Sequence, residues 1–447
     1  MRKTTQFLVG ILVVIFSLGV ILFIVSTTGL SWRIERLLAE INYALNPPEK
    51  VVFVPVGQTL TPLPVERPLP VERPLPVTQL PLPSATPTIA LVTATPTTPP
   101  PPTLLPSAPT QASTPLPAQA TLTGIRHMFQ MWNNCGPANL AMALSYWGWK
   151  GDQRAPAAVL KPNGRDKNVM PYEMESYVEQ QAGLDAVVRT GGDLDTLKAF
   201  IAAGFPVLVE KGFEGVGFDG WMGHYQVVSG YDDAAGQFIV QDSYKGPDLP
   251  SPYDQFVSDW RAFNYTYMVV YPVERRQQVL AILGLQAYDN YNNRAALQKA
   301  DAEAAQLTGR DLFFALFNQG TNLVAEQDYA RAAAAYDAAF ANYAQIPEAS
   351  RPWRMMWYQT GPYFAYYYTG RYQDVINLAT QTLDAMNEPI LEESFYWRAR
   401  AYLAMADADS AVKDLKQCLV VHPGFDPCNQ ELLKMGIEPP PTPVIKP

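Results

Sequence analysis

Residues 129–148 read FQMWNNCGPANLAMALSYWG, and the fold of the middle of the chain follows from this stretch. Leu140, Met142, Ala143 and Tyr146 recur at helical spacing, so a helix opening near Cys135 is expected, with these four on a buried stripe. A cysteine at a helix start faces unpaired backbone N–H groups and the positive end of the helix dipole. Both favour thiolate over thiol, and the thiolate is the nucleophile. Gly136 would leave space beside the sulfur for a substrate carbonyl. Gln130, five positions before Cys135, can offer an amide N–H to an oxygen that turns negative in a tetrahedral intermediate. Taken alone, a cysteine at such a place is more often an inert buried residue.

The following residues supply what a nucleophilic cysteine needs. PYEMESYVEQQAGL (171–184) and DLDTLKAFIAAG (193–204) read as helices, the second capped by Asp193 and closed by Gly204. The runs PVLVE, HYQVVSGY, QFIVQD and YTYMVVYP, bordered by turn residues, read as an antiparallel sheet. Helices before strands is an α+β order. A thiol nucleophile also needs a base and a group to orient that base. The chain has three histidines; His127 stands at the border of this region and His422 far downstream, which leaves His224, at a strand start. Asp242 ends the next strand, where its carboxylate can reach the imidazole; by itself it reads as a turn residue.

Gln130, Cys135-Gly136, Gly223-His224 and Asp242, in this order, resemble the bacteriocin-processing endopeptidases of cysteine-peptidase family thirty-nine, above all their stand-alone domains. The resemblance covers residues 120–273 and implies a papain-like domain. It also implies a Cys135–His224–Asp242 triad, with Gln130 in the oxyanion hole. Two departures stand beside it. The chain carries no transporter or nucleotide-binding motif, so a double-glycine leader substrate has no support. Asn133-Asn134 replaces the acidic residue common before the cysteine in transporter-fused members. The same constellation also suits amidase or transpeptidase chemistry on cell-wall peptides, or a degenerate fold that grips peptides without cutting them.

The rest of the 447-residue chain divides by composition. Residues 7–25, FLVGILVVIFSLGVILFIV, are uncharged and about long enough to cross a bilayer as one helix. With Arg2 and Lys3 before it, a single-pass anchor over residues 1–46 is expected, its N-terminus cytoplasmic and all that follows extracytoplasmic. A cleaved signal peptide is the alternative. Residues 47–119 hold many of the 41 prolines, with PLPVER twice in tandem, and read as a disordered stalk. Residues 274–437 read as an all-α solenoid of tetratricopeptide-like repeats, followed by a proline-rich tail at 438–447. Ala399, Tyr402, Ala411, Cys418 and Pro423 fill one repeat pattern; Gly320, Tyr329, Ala332, Tyr336 and Ala339 another; Gly370, Tyr372 and Val375 a degenerate third. Partners expected are a peptide or protein substrate, the membrane, and a protein on the repeats. A net charge of −9 without basic runs argues against nucleic acid, and no metal site or cofactor is expected. Cys418 and Cys428 are either a disulfide, as an extracytoplasmic setting favours, or buried thiols at positions that need small residues.

Overall fold

The computed structural model describes residues 37, 38, 41, 45, 50–57, 115–214, 220–386 and 388–441. The apolar run 7–25 and the PLPVER repeats lie outside these residues. Among the described residues no helix is long and apolar enough to cross a membrane.

Seven strands form one antiparallel sheet: β1 (Gln119–Thr121), β2 (Asp185–Arg189), β3 (Val207–Phe213), β4 (Met222–Asp232), β5 (Gln237–Asp242), β6 (Gly246–Pro252) and β7 (Tyr267–Tyr271). Their order is β2-β7-β3-β4-β5-β6, with β1 also paired to β4. β3, β4, β5 and β7 are the four expected apolar runs. β6, GPDLPSP, reads as a turn in sequence because of its three prolines. It survives as a strand because it is the last in the sheet, where a missing N–H leaves no neighbour unpaired.

Six helices accompany the sheet: α1 (Cys135–Tyr146), α2 (Arg154–Leu160), α3 (Pro171–Tyr177), α4 (Leu194–Ala202), α5 (Tyr253–Arg261) and α6 (Arg276–Leu283). Strand side chains alternate between faces. Val207, Val209, Tyr267 and Val269 meet Leu197, Phe200, Phe256, Trp260 and Val279 of α4, α5 and α6 on one face. Leu208, Met268 and Val270 meet Leu140, Leu160 and Met174 of α1, α2 and α3 on the other. Each such side chain taken from water contributes about 1.5–3 kcal/mol. The Asp193 carboxylate accepts from Thr196 N at 2.7 Å, the expected cap of α4. Two expectations change. Every residue of α1 from Gly136 to Leu144 is buried, while Tyr146 stays half-exposed, so the helix is enclosed all round rather than striped. And α6, assigned by sequence to the repeats, packs Val279 and Leu283 into the sheet's core.

The remainder is helical: α7 (Asp289–Ala304), α8 (Gly309–Ala325), α9 (Tyr329–Tyr343), α10 (Gly361–Tyr368), α11 (Tyr372–Asp384), α12 (Glu392–Ala404), α13 (Ala408–Val421) and α14 (Asp426–Lys434). Neighbours pack in succession, α8 on α9 and α12 on α13 most extensively. A Cβ on Gly320 would stand 2.5 Å from the Tyr336 ring, so the glycine is what lets α8 and α9 approach. Cys418 and Cys428 are bonded, with Cα atoms 6.6 Å apart, which ties α14 to α13.

These helices share a core with the end of the β3–β4 hairpin. Trp221 stacks on Phe263 at 5.7 Å and faces Phe314 and Tyr358. Arg354 Nη1 donates to Trp221 O at 2.9 Å, and Asn264 and Asn322 exchange amide bonds at 2.8 and 3.2 Å.

The span 47–119 departs from a uniform stalk at both ends. Tyr231 Oη donates to Pro117 O at 2.7 Å and β1 joins the sheet, while residues 50–57 lie on the helices. KVVFVPVG has one proline among β-branched and aromatic residues; averaged over the whole segment, that apolar cluster is hidden.

Candidate active site

Cys135 is the first residue of α1 and is partly exposed. The residues before it are held by Gln153, whose Oε1 accepts from Met131 N at 2.8 Å and Asn134 Nδ2 at 2.7 Å. Its Nε2 donates to Phe129 O at 2.8 Å. Lys161 Nζ donates to Asn133 O at 2.5 Å, and Asn133 sits at φ 49°, in the left-handed region where asparagine is tolerated. Gly136 does not open the substrate side, as its position beside Cys135 led us to expect. It is buried, and a Cβ there would press on Val169 Cβ at 3.3 Å and approach Met174 and Tyr225 at 3.6 Å. The glycine serves packing between α1, α3 and β4.

His224 lies near the start of β4 and Asp242 at the end of β5. Val227 pairs with Gln241, so the two side chains come together across neighbouring strands. His224 Nε2 stands 3.1 Å from Asp242 Oδ1; the histidine is 3% exposed and the aspartate 0%. Asp242 Oδ1 also accepts from Tyr244 N at 2.7 Å and Lys245 N at 2.9 Å, and its Oδ2 from Gln226 Nε2 at 2.5 Å. Burial by itself would raise this carboxyl. The charge of His224 and these hydrogen bonds outweigh it and hold the group far below the usual carboxylate range.

The imidazole and Cys135 also act on each other's ionisation. With Nε2 turned to Asp242, Nδ1 is the nitrogen left for the sulfur. Burial opposes charge on the ring, but Asp242 and then Cys135 pull the His224 pKa up to about 9. Burial likewise pushes the Cys135 thiol up, and the hydrogen bond and charge of His224, the Tyr225 amide and Lys161 more than reverse it. Both shifts favour a thiolate–imidazolium pair over the neutral pair.

Gln130 joins the same cluster through Ser243. Gln130 N donates to Ser243 O at 2.8 Å, and Ser243 Oγ donates to Gln130 Oε1 at 2.8 Å. Asn139, fully buried one turn along α1, ties the parts together: its Nδ2 reaches Cys135 O at 2.9 Å, Tyr225 O at 2.7 Å and Ser243 Oγ at 2.9 Å.

All four sequence-predicted residues therefore fall in one cluster. Sequence reasoning missed Ser243, Asn139, Gln226, Gln153 and Lys161. Two of these carried a signal: Gln226 shares the His224 face of a strand by the period of two, and Asn139 shares the Cys135 face of a helix at i+4. His127, set aside as a border residue, belongs to this fold as well; its Nε2 lies 3.0 Å from Asp242 O. One trio among the described residues could supply metal ligands. Asp166, Glu392 and His422 place one ligand atom each within 4.8 Å of one another, and His422 Nδ1 already bonds Glu392 Oε1 at 2.7 Å.

Residues 119–268, a third of the chain, match the model of the Peptidase_C39 like family. The matched residues span the sheet region that carries Cys135, His224 and Asp242. A crystal structure from Bacillus anthracis described as a C39-like peptidase is similar at 18% identity and a TM-score of 0.29, over 34% of this chain and 96% of that one. No curated protein matches the chain.

Proposed function

We propose that the protein is a thiol endopeptidase in which Cys135 attacks a peptide carbonyl, His224 moves the proton and Asp242 orients His224. One observation carries this reading: His224 Nε2 stands 3.1 Å from the buried Asp242 Oδ1, and the same imidazole is near enough to Cys135, at the start of α1, for each to shift the other's ionisation. The thiolate adds to the carbonyl carbon, and the oxygen takes the charge facing Gln130 Nε2 and the Cys135 backbone N–H. Collapse of this intermediate breaks the C–N bond, and the imidazolium gives its proton to the departing amine. A thioester on Cys135 remains. Neutral His224 then takes a proton from water, the hydroxide adds to the thioester, and the acid leaves as Cys135 regains its starting state. Asp242 stays ionised throughout and keeps Nε2–H pointed at itself, which presents Nδ1 to the sulfur. Cys135→Ala should abolish hydrolysis of a peptide library while the circular dichroism spectrum is unchanged; cutting at the wild-type rate would end the proposal.

The proposal extends to the rest of the chain. Residues 7–25 anchor it in a membrane with residues 115–441 outside the cytoplasm, and α8–α13 are tetratricopeptide-like repeats that bind protein partners. The Cys418–Cys428 bond supports an oxidising compartment. The Gly320–Tyr336 approach is what paired repeat helices require. Protease added to intact spheroplasts should reach residues 58–114; protection until the membrane is permeabilised would contradict this orientation.

A further inference from the structure

Residues 50–57 rest on the helices with no helix or strand of their own, held by an aromatic anchor and by main-chain bonds. Phe53 is 5% exposed; its ring meets Phe340 edge-on at 4.9 Å and lies 6.2 Å from Tyr366. It shares a buried cluster with Phe313, Tyr343, Met356 and Leu378. The neighbours Val54 and Val56 are 72% and 52% exposed, while Val52 packs part-buried against the same core, so Phe53 is the one fully buried side chain of the segment. Asp374, 1% exposed, spends both carboxylate oxygens on this segment's backbone: Val56 N donates to Oδ1 at 2.6 Å and Gly57 N to Oδ2 at 3.1 Å. Arg371 Nε holds that carboxylate from behind at 2.8 Å, and Gln381 Nε2 donates to Val51 O at 2.8 Å. Pro55, which has no N–H, falls where no donor is used. An open groove continues from Val51 along α11, past Ile376, Thr380 and Asp384.

A buried carboxylate directed at two successive backbone N–H groups, beside a buried aromatic ring, recognises a short peptide segment rather than a particular fold. We propose that this groove is a peptide-recognition site whose resident ligand is the chain's own residues 50–57. The ligand class is a short peptide with an aromatic residue and free N–H groups three and four positions after it, the second of them on a glycine, as Gly57 takes φ 72°. Binding depends on these contacts and not on the covalent connection through 58–114. Both ends of that connection are thereby held on one folded body, so a cut within it nicks the chain without freeing the body from residues 1–57. This inference is independent of the proposed peptidase chemistry.

The test inserts a site-specific protease sequence after residue 90 of the full chain, with an N-terminal tag, in detergent. After cutting, the tag should still retain the large fragment. Excess synthetic peptide KVVFVPVG should displace it, and the same peptide carrying Phe53→Ala should be at least about tenfold weaker. Comparing two peptides avoids any question of whether a variant protein folds. Immediate separation of the fragments on cutting, or equal displacement by both peptides, would overturn the proposal.

Discussion

Ser243 Oγ donates to Gln130 Oε1 at 2.8 Å, and that bond determines which end of the Gln130 amide is left to act as a donor. The carbonyl end is occupied, so the NH2 end faces away from Ser243. An oxyanion hole works because its donors are fixed before charge develops. Gln130→Ala should therefore lower kcat by about 10²–10³. Ser243→Ala leaves the amide in place but free to turn, and should cost about tenfold in kcat with KM little changed. Steady-state kinetics on one peptide checks both; a Ser243→Ala loss confined to KM would mean that Ser243 serves substrate binding instead.

The pH profile follows from the two shifts at the cysteine. The reactive pair forms once pH exceeds the lowered Cys135 pKa and persists until His224, raised to about 9, loses its proton. Acylation should rise at acid pH, hold through neutrality and fall as pH passes about 9. Alkylation of Cys135 by iodoacetamide should proceed well below the pH at which a free thiol, with a pKa of about 8.5, reacts. His224→Ala should return the alkylation profile to that of a free thiol; an unchanged profile would remove His224 from the site.

Asp242→Asn leaves a side chain of the same shape that still accepts from the Tyr244 and Lys245 amides. It removes the charge that holds the imidazole protonated. The alkaline limb should move to lower pH, and the rate at neutral pH should fall less than in His224→Ala. An alkaline limb that stays near pH 9 would show that the Asp242 charge is not what raises His224.

In the helical region, Gly320→Ala puts a Cβ within 2.5 Å of the buried Tyr336 ring. Overpacking of this kind costs about 1–3 kcal/mol. Denaturant unfolding should show that loss with the rate of Cys135 alkylation unchanged. Replacing Cys418 and Cys428 together by serine should cost about 2–3 kcal/mol for so short a loop. Alkylation of both cysteines without prior reduction would rule the bond out.

Most of the sheet was legible because short runs rich in Val, Tyr, Phe and Ile, bordered by turn residues, read as strands, and α4 because Asp193 and Gly204 mark its ends. The site was legible for a similar reason: a cysteine at a helix start, a single strand-borne histidine and an aspartate one strand further on are local features. What escaped depends on the third dimension. β6 is a strand because of where it lies in the sheet, and its prolines conceal it. The role of Gly136 turned on which side of α1 the substrate occupies, a matter of packing against Val169 and Met174. Ser243 and Gln153 act through partners more than twenty residues away in sequence, at separations of 113 and 24 to Gln130 and Phe129. Residues 50–57 meet Asp374 across more than 300 residues, a pairing that no local pattern announces.

Cleavage of peptide bonds by Cys135 is read by incubating wild type and Cys135→Ala, under reducing conditions mild enough to spare Cys418–Cys428, with one peptide library and identifying new termini by mass spectrometry. New termini are expected with the wild type, none with Cys135→Ala, and a transient mass on Cys135 equal to the acyl half of a cleaved peptide. The same termini from both proteins, or none from a wild type whose Cys135 alkylates readily at neutral pH, would contradict cleavage by Cys135.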